Sequence, residues 1–330
     1  MSVGRQQPGK RAATQADVAR YAGVSGAVVS YVVHNGPRPV SPETAARVRE
    51  AIRVLGYRPN ASAAALRTGS SKLLGLVLPE FDNSIWADLA VAVSDCANAR
   101  GYDLITASSG GDVTLEQQHI QSLSGRQVEG LLVTCVEMID PAIDGVADIP
   151  TVLLNVFSDA PGVTSIGVDA RQGAIDGVEH LLSHGYDTVG LIAHRGIDLR
   201  EEGWRQVREA PLGPIERDAS TRQGGYDAAR RMFGSPDRPR SVFVCSDMQA
   251  VGCLRALWEL GLRVPDDVAI VSFDGTVDSR FTAPPLTAVQ QPIATMARIA
   301  VDLVLDGPVN GVHHRVVEPT HLVIRESCGC

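Results

Sequence analysis

Side chains with hydrogen-bonding groups share one face of a short segment near the start of the chain. If this segment is a helix, four residues face outward: Ala27, Ser30, Tyr31 and His34. Hydroxyl and imidazole groups can hydrogen-bond to phosphates or base edges, and a small methyl group can contact a thymine methyl. The chemistry within reach of this face is therefore recognition of double-stranded DNA.

Two short helices around a tight turn are predicted to position this face. Thr14 and Asp17 have nearly the spacing of a capping box for the first helix, and Ser25 is placed to cap the second. Gly23 ends the first helix, because glycine takes the left-handed conformation without steric cost. The inward residues that pack the second helix onto the first are Val24, Val28, Val29 and Val32. The pattern predicts a helix-turn-helix.

A third helix is needed to favour a DNA-binding domain, since two short helices around a glycine also occur in ordinary helical domains. Residues 41–43, Ser-Pro-Glu, form a strong helix start, and the helix continues through Val48, Ile52 and Leu55. Three helices can bury one small core.

The charge of the chain divides at the same place. Residues 1–72 carry eleven Lys or Arg against three Asp or Glu, a balance of +8. The whole chain carries −8, so the remainder carries −16. Only the amino-terminal part suits a phosphate backbone, and the acidic remainder should repel it.

From residue 73 onward, short apolar runs alternate with amphipathic stretches, as is typical of parallel α/β structure. The first series of runs covers residues 73–78, 104–105, 130–134 and 151–154. A second series covers residues 188–192, 241–245 and 268–273. The repetition predicts two similar lobes.

Length and composition limit the possible classes of protein. A chain of 330 residues, 44% of them hydrophobic, has room for a headpiece of about 60 residues and two lobes of about 130. No apolar signal segment opens it, and no apolar run approaches the roughly 20 residues that span a bilayer, so we expect a cytoplasmic protein without a membrane partner. Phosphate-binding glycine loops and nucleophile elbows are absent, so we expect no catalytic residue and no cofactor.

Six cysteines stand at positions 96, 135, 245, 253, 328 and 330, with no Cys-x-x-Cys pair and no histidine clustered around them in the sequence. This spacing predicts neither a disulfide framework nor a metal site. Most should be core residues. Cys328 and Cys330 are expected in a loose tail, with a redox-active pair as the alternative.

Three segments, Asp17–Ser25, Val40–Thr44 and Leu55–Asn60, resemble the headpiece of the LacI/GalR family of transcriptional regulators, and the similarity extends over nearly the whole chain. It implies an α/β fold: an N-terminal three-helix headpiece, a hinge, and a two-lobed core of parallel sheets like that of periplasmic binding proteins. The implied units are a headpiece at 12–59, a hinge helix and linker at 60–71, and a core at 72–330. Lobe 1 is expected at about 72–166 and 293–317, and lobe 2 at about 167–289 and 321–330.

The resemblance also implies which residues contact DNA. These are Thr14, Ser25, Ala27, Ser30, Tyr31, His34, Asn60, Ala63 and Leu66. In the family the hinge folds into a helix on the operator and wedges a leucine into the minor groove, and Leu66 is the matching leucine. A permanent helix packed on the core is the alternative. Gly26, Ala27 and Tyr31 depart from the family pattern, so no operator sequence can be carried over.

A ligand site between the lobes is implied in the same way. Arg200 and Asp274 match residues that hydrogen-bond the effector, and Trp86 matches an aromatic residue that stacks on it, with a core tryptophan as the alternative. Weaker candidates are Asn83, Asn155, Ser246, Asp247 and Gln291. Ala219 replaces a second aromatic residue of the family, for which Tyr226 or Phe273 can compensate. The implied ligand is a sugar or sugar derivative.

The predicted function is therefore that of a homodimeric repressor that binds a near-palindromic operator under the control of a small polar effector. A solute-binding protein and an α/β enzyme without DNA regulation are the alternatives. Whether the effector releases or strengthens DNA binding, and whether the dimer forms a tetramer, stay open. A dimer is favoured, since no leucine heptads follow the core.

Overall fold

The structure is a computed structural model that describes residues 13–34, 36, 38–58, 65, 69–134, 149–155, 163–196, 198–207, 212–307 and 315–330. The chain divides into two compact units, with the boundary between Ser71 and Lys72. Among the described helices, none combines the length and the hydropathy that crossing a membrane requires.

The first unit contains three helices: α1 (Gln15–Ala22), α2 (Gly26–His34) and α3 (Pro42–Leu55). The Thr14 hydroxyl accepts from the backbone N–H of Asp17, and the Asp17 carboxylate accepts from the Thr14 N–H at 2.9 Å, which completes the capping box. Gly23 ends α1 with φ 65°, as predicted, and Ser41 caps α3. The helix boundaries thus follow from capping chemistry that is visible in the sequence.

The core of this unit is built around Val18, Val29 and Val48, which are fully buried. Val24 and Val32 pack against it as predicted. The prediction for Val28 was wrong: Val33 packs against the core instead, because positions 29, 32 and 33 follow the i, i+3, i+4 spacing of one helix face.

The second unit contains two six-stranded sheets. The first is entirely parallel, in the order β11-β5-β4-β3-β1-β2. Its strands are β1 (Leu73–Leu78), β2 (Asp103–Ser108), β3 (Gly130–Val133), β4 (Thr151–Leu154), β5 (Thr164–Val168) and β11 (Arg315–Glu318). Its helices are α4 (Ser84–Ala99), α5 (Val113–Gly125) and α10 (Ile293–Asp306). We call this half lobe 1.

The second sheet has the order β12-β10-β9-β8-β6-β7, and only β12 is antiparallel to its neighbour. Its strands are β6 (Val189–His194), β7 (Leu212–Asp218), β8 (Ser241–Val244), β9 (Ala269–Asp274), β10 (Thr287–Gln290) and β12 (His321–Val323). Its helices are α6 (Ala170–Ser183), α7 (Leu199–Gln206), α8 (Arg222–Phe233) and α9 (Asp247–Glu259), with short 3₁₀ turns at Val277–Arg280 and Glu326–Cys328. We call this half lobe 2. The predicted fold class is confirmed.

The chain passes between the lobes three times. The passages lie at Asp169, at residues 291–292 and at residues 319–320. The first falls two residues later than predicted, because Gly167 is still part of β5, where it pairs with Val317. The carboxyl ends of β5, β9 and β10 therefore meet where the lobes are joined.

The carboxyl-terminal cysteines are not in a loose tail. Cys328 is fully buried in the last 3₁₀ turn, where the Thr287 hydroxyl lies 3.1 Å from its sulfur. The Ser327 hydroxyl donates to the Ile270 carbonyl at 2.7 Å and anchors the turn against the sheet. Cys330 is exposed beside it.

Helices α8 and α9 pack at backbone contact, which leaves no room for a side chain at Gly252. A Cβ there would lie 1.9 Å from the Arg222 carbonyl oxygen. We expect Gly252→Ala to lower the free energy of unfolding by about 1–3 kcal/mol in urea denaturation, because the two helices must separate. Gly125→Ala is the control, since nothing lies within 4 Å of its added Cβ. Equal stability of the two variants would contradict the close approach.

Candidate functional site

The outward face of α2 combines small and aromatic side chains. Ala27 is exposed, and Ser30 and Tyr31 are half-buried. The Gln15 side-chain amide donates to the Gly26 carbonyl at 2.7 Å and so fixes the start of α2 against α1. His34 ends α2, but its side chain lies outside the described residues.

Gly36, two residues after the end of α2, packs against Tyr31. The Gly36 N–H donates to the Tyr31 carbonyl at 3.0 Å, and a Cβ on Gly36 would lie 2.4 Å from the ring. Only glycine fits here without displacing the ring. This contact holds the Tyr31 ring on the outward face of α2.

Basic side chains surround this unit. Arg20 and Arg53 pair with Asp17 and Glu50 at exposed positions, where ion pairs contribute little and rearrange easily. Further exposed arginines are Arg38, Arg47, Arg49 and Arg58. Three predicted DNA contacts, Asn60, Ala63 and Leu66, lie outside the described residues.

A cavity of about 190 Å³ opens between the lobes, at the carboxyl ends of β5, β6 and β9. Its lining residues come from both lobes: Asn155, Val168, Ala170, His194, Asp198, Leu199, Arg200, Phe273 and Gln291. Of the predicted ligand residues, Arg200, Asn155 and Gln291 are brought together here. Phe273 lines the cavity and can therefore take the place of the family's second aromatic residue, which is Ala219 here. Tyr226 does not line the cavity, and its hydroxyl donates to Glu259.

Arg200 is held on three sides. Its Nε donates to the Asp198 carboxylate at 2.8 Å, its Nη1 donates to the Cys245 carbonyl at 2.5 Å, and its guanidinium lies 5.3 Å from the Phe273 ring centre. Burial opposes the charge, but Asp198 outweighs burial and raises the pKa of Arg200. In the described part of the chain, nothing accepts from Nη2. Arg200 therefore presents a fixed cation to the cavity.

Asp198 fixes Arg200 by capping α7. It accepts from the Arg200 N–H at 2.9 Å, and its other oxygen lies 2.8 Å from Nδ1 of His194. Burial raises the pKa of Asp198, but Arg200 and His194 outweigh burial and hold it well below its usual value. Sequence reasoning did not propose His194 or Asp198 as ligand residues. The available signal was their position at the carboxyl end of β6, which His194 closes and which Asp198 follows four residues later, because parallel sheets place their ligands at this edge.

Gln291 lies on the second passage between the lobes. Its side-chain N–H donates to Asp274 at 2.8 Å, and its Oε1 is buried with no partner among the described residues. An unpaired buried acceptor costs about 1–3 kcal/mol, so a ligand that donates to it is favoured. Asn155 faces the same cavity from lobe 1.

Asp274, the predicted partner of Arg200, lies beside the Arg200 cavity and not in its lining. It lines a neighbouring cavity of about 290 Å³ that shares Gln291 with the first, and its backbone has φ 107°. Burial and the nearby Asp247 carboxylate raise the pKa of Asp274 to about 7, against the opposing effects of Arg200 and Gln291. Arg200 and Asp274 are thus close, but they line different cavities.

Four other predicted ligand residues do not line the Arg200 cavity, because local structure occupies their side chains. Asn83 caps α4 and donates to Glu80, and Ser246 caps α9. Asp247 accepts from the Ser272 hydroxyl at 2.5 Å and from the Thr276 N–H at 2.6 Å, which ties α9 to β9. Trp86 packs half-buried against the hydrophobic core.

The lobes also touch directly. The Ser84 hydroxyl of lobe 1 donates to Asp278 of lobe 2, and Arg222 of lobe 2 donates to the Asp82 carbonyl of lobe 1 at 3.2 Å. Opening the lobes would break these contacts.

Asp274 should make stability depend on pH. Its pKa in the folded chain, about 7, lies above its value in an unfolded chain, about 4, so the folded state binds the extra proton and loses stability as pH rises between these values. Between pH 5 and pH 8, urea denaturation should show wild type losing on the order of 2 kcal/mol more than Asp274→Asn. The same pH dependence in both proteins would show that Asp274 ionises normally.

Two family models match the chain. Residues 14–60 match the model of bacterial regulatory proteins of the lacI family, and residues 178–328 match a periplasmic binding protein-like domain.

Characterised relatives match over nearly the full length. The chain is 31% identical to the ribose operon repressor of Escherichia coli (strain K12), in an alignment of 320 residues that covers 93% of this chain and 94% of that protein. It is 30% identical to the transcriptional repressor PurR of Haemophilus influenzae (strain PittEE), in an alignment of 331 residues that covers 96% of this chain and 98% of the relative.

Solved structures share the fold. The lac repressor dimer bound to operator and the anti-inducer ONPF has a TM-score of 0.80 and 27% identity, covering 96% of this chain and 99% of the other. The transcriptional regulator CelR in complex with cellobiose has a TM-score of 0.67 and 27% identity, again covering 96% and 99%.

Proposed function

Since the chain belongs to the LacI family of bacterial regulatory proteins, we propose that it is a cytoplasmic, homodimeric repressor whose affinity for a near-palindromic operator is set by a small polar ligand. Its relatives are transcriptional repressors and not enzymes. The observation that carries the proposal is a basic three-helix unit on the same chain as a ligand-sized cavity between two lobes.

On the DNA side, α2 enters the major groove. Ala27 contacts a thymine methyl, Tyr31 reaches a base edge, and Ser30 and His34 contact phosphates. The two cap residues, Thr14 and Ser25, bring the amino ends of α1 and α2 to the backbone, where the helix dipoles favour an anion. The hinge residues Asn60, Ala63 and Leu66 complete the contact in the minor groove, with Leu66 as the wedge.

Exposed apolar side chains support the homodimer. Phe281 is 82% exposed, and Phe81, Val91 and Val277 are also exposed. Phe81 precedes α4 and Val91 lies in it, whereas Val277 and Phe281 are close in sequence to Asp278, which accepts from Ser84 at the start of α4. Exposed apolar groups of this size are typical of a protein interface. The lac repressor, a structural neighbour, is a dimer on its operator.

On the ligand side, the cavity suits a small polyol. Arg200 supplies donors, Gln291 supplies a buried acceptor, and Asn155 supplies both. A volume of about 190 Å³ lies below the roughly 300 Å³ at which sites for drug-sized ligands begin, so a monosaccharide fits better than a disaccharide. The relationship to a ribose operon repressor points to the same class of ligand.

Base readout by Tyr31 is tested with Tyr31→Phe, which removes only the hydroxyl. Full-length protein is used to select binding sites from random DNA, and affinities are measured by fluorescence anisotropy. We expect Tyr31→Phe to bind the selected site about tenfold more weakly and unrelated DNA equally well, because one hydrogen bond to a base is lost.

Tyr21→Phe is the matched control, since Tyr21 is an exposed residue of α1 and should be silent. Failure of wild type to select any site would reject the repressor proposal itself. An unchanged preference in Tyr31→Phe would reject only this contact.

The ligand role of Arg200 is tested with Arg200→Lys, which keeps the charge beside Asp198 but loses the planar fork of donors. Wild type is screened by thermal shift against ribose, cellobiose, lactose and purine bases. We expect the ligand found to bind Arg200→Lys at least about tenfold more weakly, while affinity for DNA without ligand stays the same. Arg195→Lys, an exposed neighbour paired with Asp218, is the control. Equal ligand affinity in Arg200→Lys would remove Arg200 from the site.

A further inference from the structure

We propose that His180, His184, Cys328 and Cys330 form a binding site for a tetrahedral transition-metal ion, and that the ion is Zn²⁺. The four donor atoms lie within 4.8 Å of one another. Two imidazole nitrogens with two thiols are a donor set that zinc prefers in structural sites. The sequence gives no sign of this cluster, because the cysteine at 330 is 146 and 150 residues away from the two histidines.

The distances among three of the four donors fit one ion. The two Nε2 atoms are 3.4 Å apart, and the Cys330 sulfur lies 3.6 Å from that of His180 and 3.3 Å from that of His184. Tetrahedral zinc with bonds of about 2.0 Å to nitrogen and about 2.3 Å to sulfur requires separations of about 3.3–3.8 Å. The three groups therefore surround a point at bonding distance from each.

The fold prepares this arrangement. His180 and His184 are one turn apart at the end of α6, so both rings leave the same helix face. Gly329 between the cysteines has φ 92°, a left-handed conformation that glycine adopts readily, and it turns the chain so that both thiols approach the rings. Cys328 is buried and fixed near Thr287, whereas Cys330 and His184 are exposed. Entry of an ion needs no unfolding.

The site is separate from the ligand cavity. Ala170, at the start of α6, lines that cavity, and at 1.5 Å per residue the helix axis rises about 15 Å from there to His180 and about 20 Å to His184. A bound ion would join α6 to the last turn of the chain across the amino-terminal end of β10, which is a stabilising cross-link and not an effector contact.

The test uses full-length protein without a histidine tag, kept reduced, with Zn²⁺ and Co²⁺ as probes. We expect a single Zn²⁺ per chain in competition with a chelator, and a rise in thermal midpoint of roughly 5–10 °C. Co²⁺ should give the strong visible bands of a tetrahedral ion and a thiolate-to-cobalt charge-transfer band. In Cys330→Ser and in the double variant His180→Gln/His184→Gln, the charge-transfer band should disappear or the affinity for the ion should fall at least tenfold.

Cys96→Ser is the control, because it removes a half-buried thiol from α4 in lobe 1. Circular dichroism is used to check that each variant is folded. We expect folding to be kept, because Cys330 and His184 are exposed. An octahedral cobalt spectrum would overturn the proposal, and so would equal zinc affinity in Cys330→Ser and wild type. A protein mass two hydrogens below that of the reduced chain, measured under the binding conditions, would show a Cys328–Cys330 disulfide and would also overturn it. These outcomes leave the DNA-binding proposal untouched.

Discussion

The three passages of the chain between the two lobes constrain the rest of the core. They confine relative motion of the lobes to a hinge, since each passage is only one or two residues long. The passage at 291–292 carries Gln291, whose backbone N–H donates to the Asp274 carbonyl at 3.0 Å and whose side chain lies between both cavities. A ligand that bonds to Gln291 therefore acts on the segment that any lobe rotation must bend.

The buried charges of Asp198 and Arg200 beside the cavity are paired with each other in the absence of a ligand. Asp198 binds both Arg200 and His194, so the cation is positioned without leaving an unpaired carboxylate. Breaking such a pair is costly, whereas adding a ligand to a pre-placed guanidinium is not. A hundredfold change in operator affinity needs about 2.7 kcal/mol of differential ligand binding, which two or three hydrogen bonds can supply. The contacts Ser84–Asp278 and Arg222–Asp82 join the two lobes directly, so a rotation that separates the lobes would break them.

Local chemistry made much of the fold predictable from sequence. The boundaries of α1 and α3 follow from Thr14, Gly23 and Ser41, whose roles depend only on nearby residues. The polar residues after strands were harder to interpret, because the same side chains can cap a helix or bind a ligand. Ser246 and Asp247 cap and tie α9, whereas Asp198 caps α7 and also faces the cavity. The histidine–cysteine cluster was invisible, since nothing local in the sequence joins His180 to Cys330.

If ligand in the cavity and DNA on α2 are coupled, as we propose, each must change the affinity of the protein for the other by the same factor. The dissociation constant of the ligand should be measured by calorimetry for the free protein and for the protein on its selected DNA site. We expect the two constants to differ by about fivefold or more, and DNA affinity to change by the same factor when ligand is added. Equal ligand affinity for the free and the DNA-bound protein would show that the cavity and the DNA-binding unit act independently, and would refute the coupling.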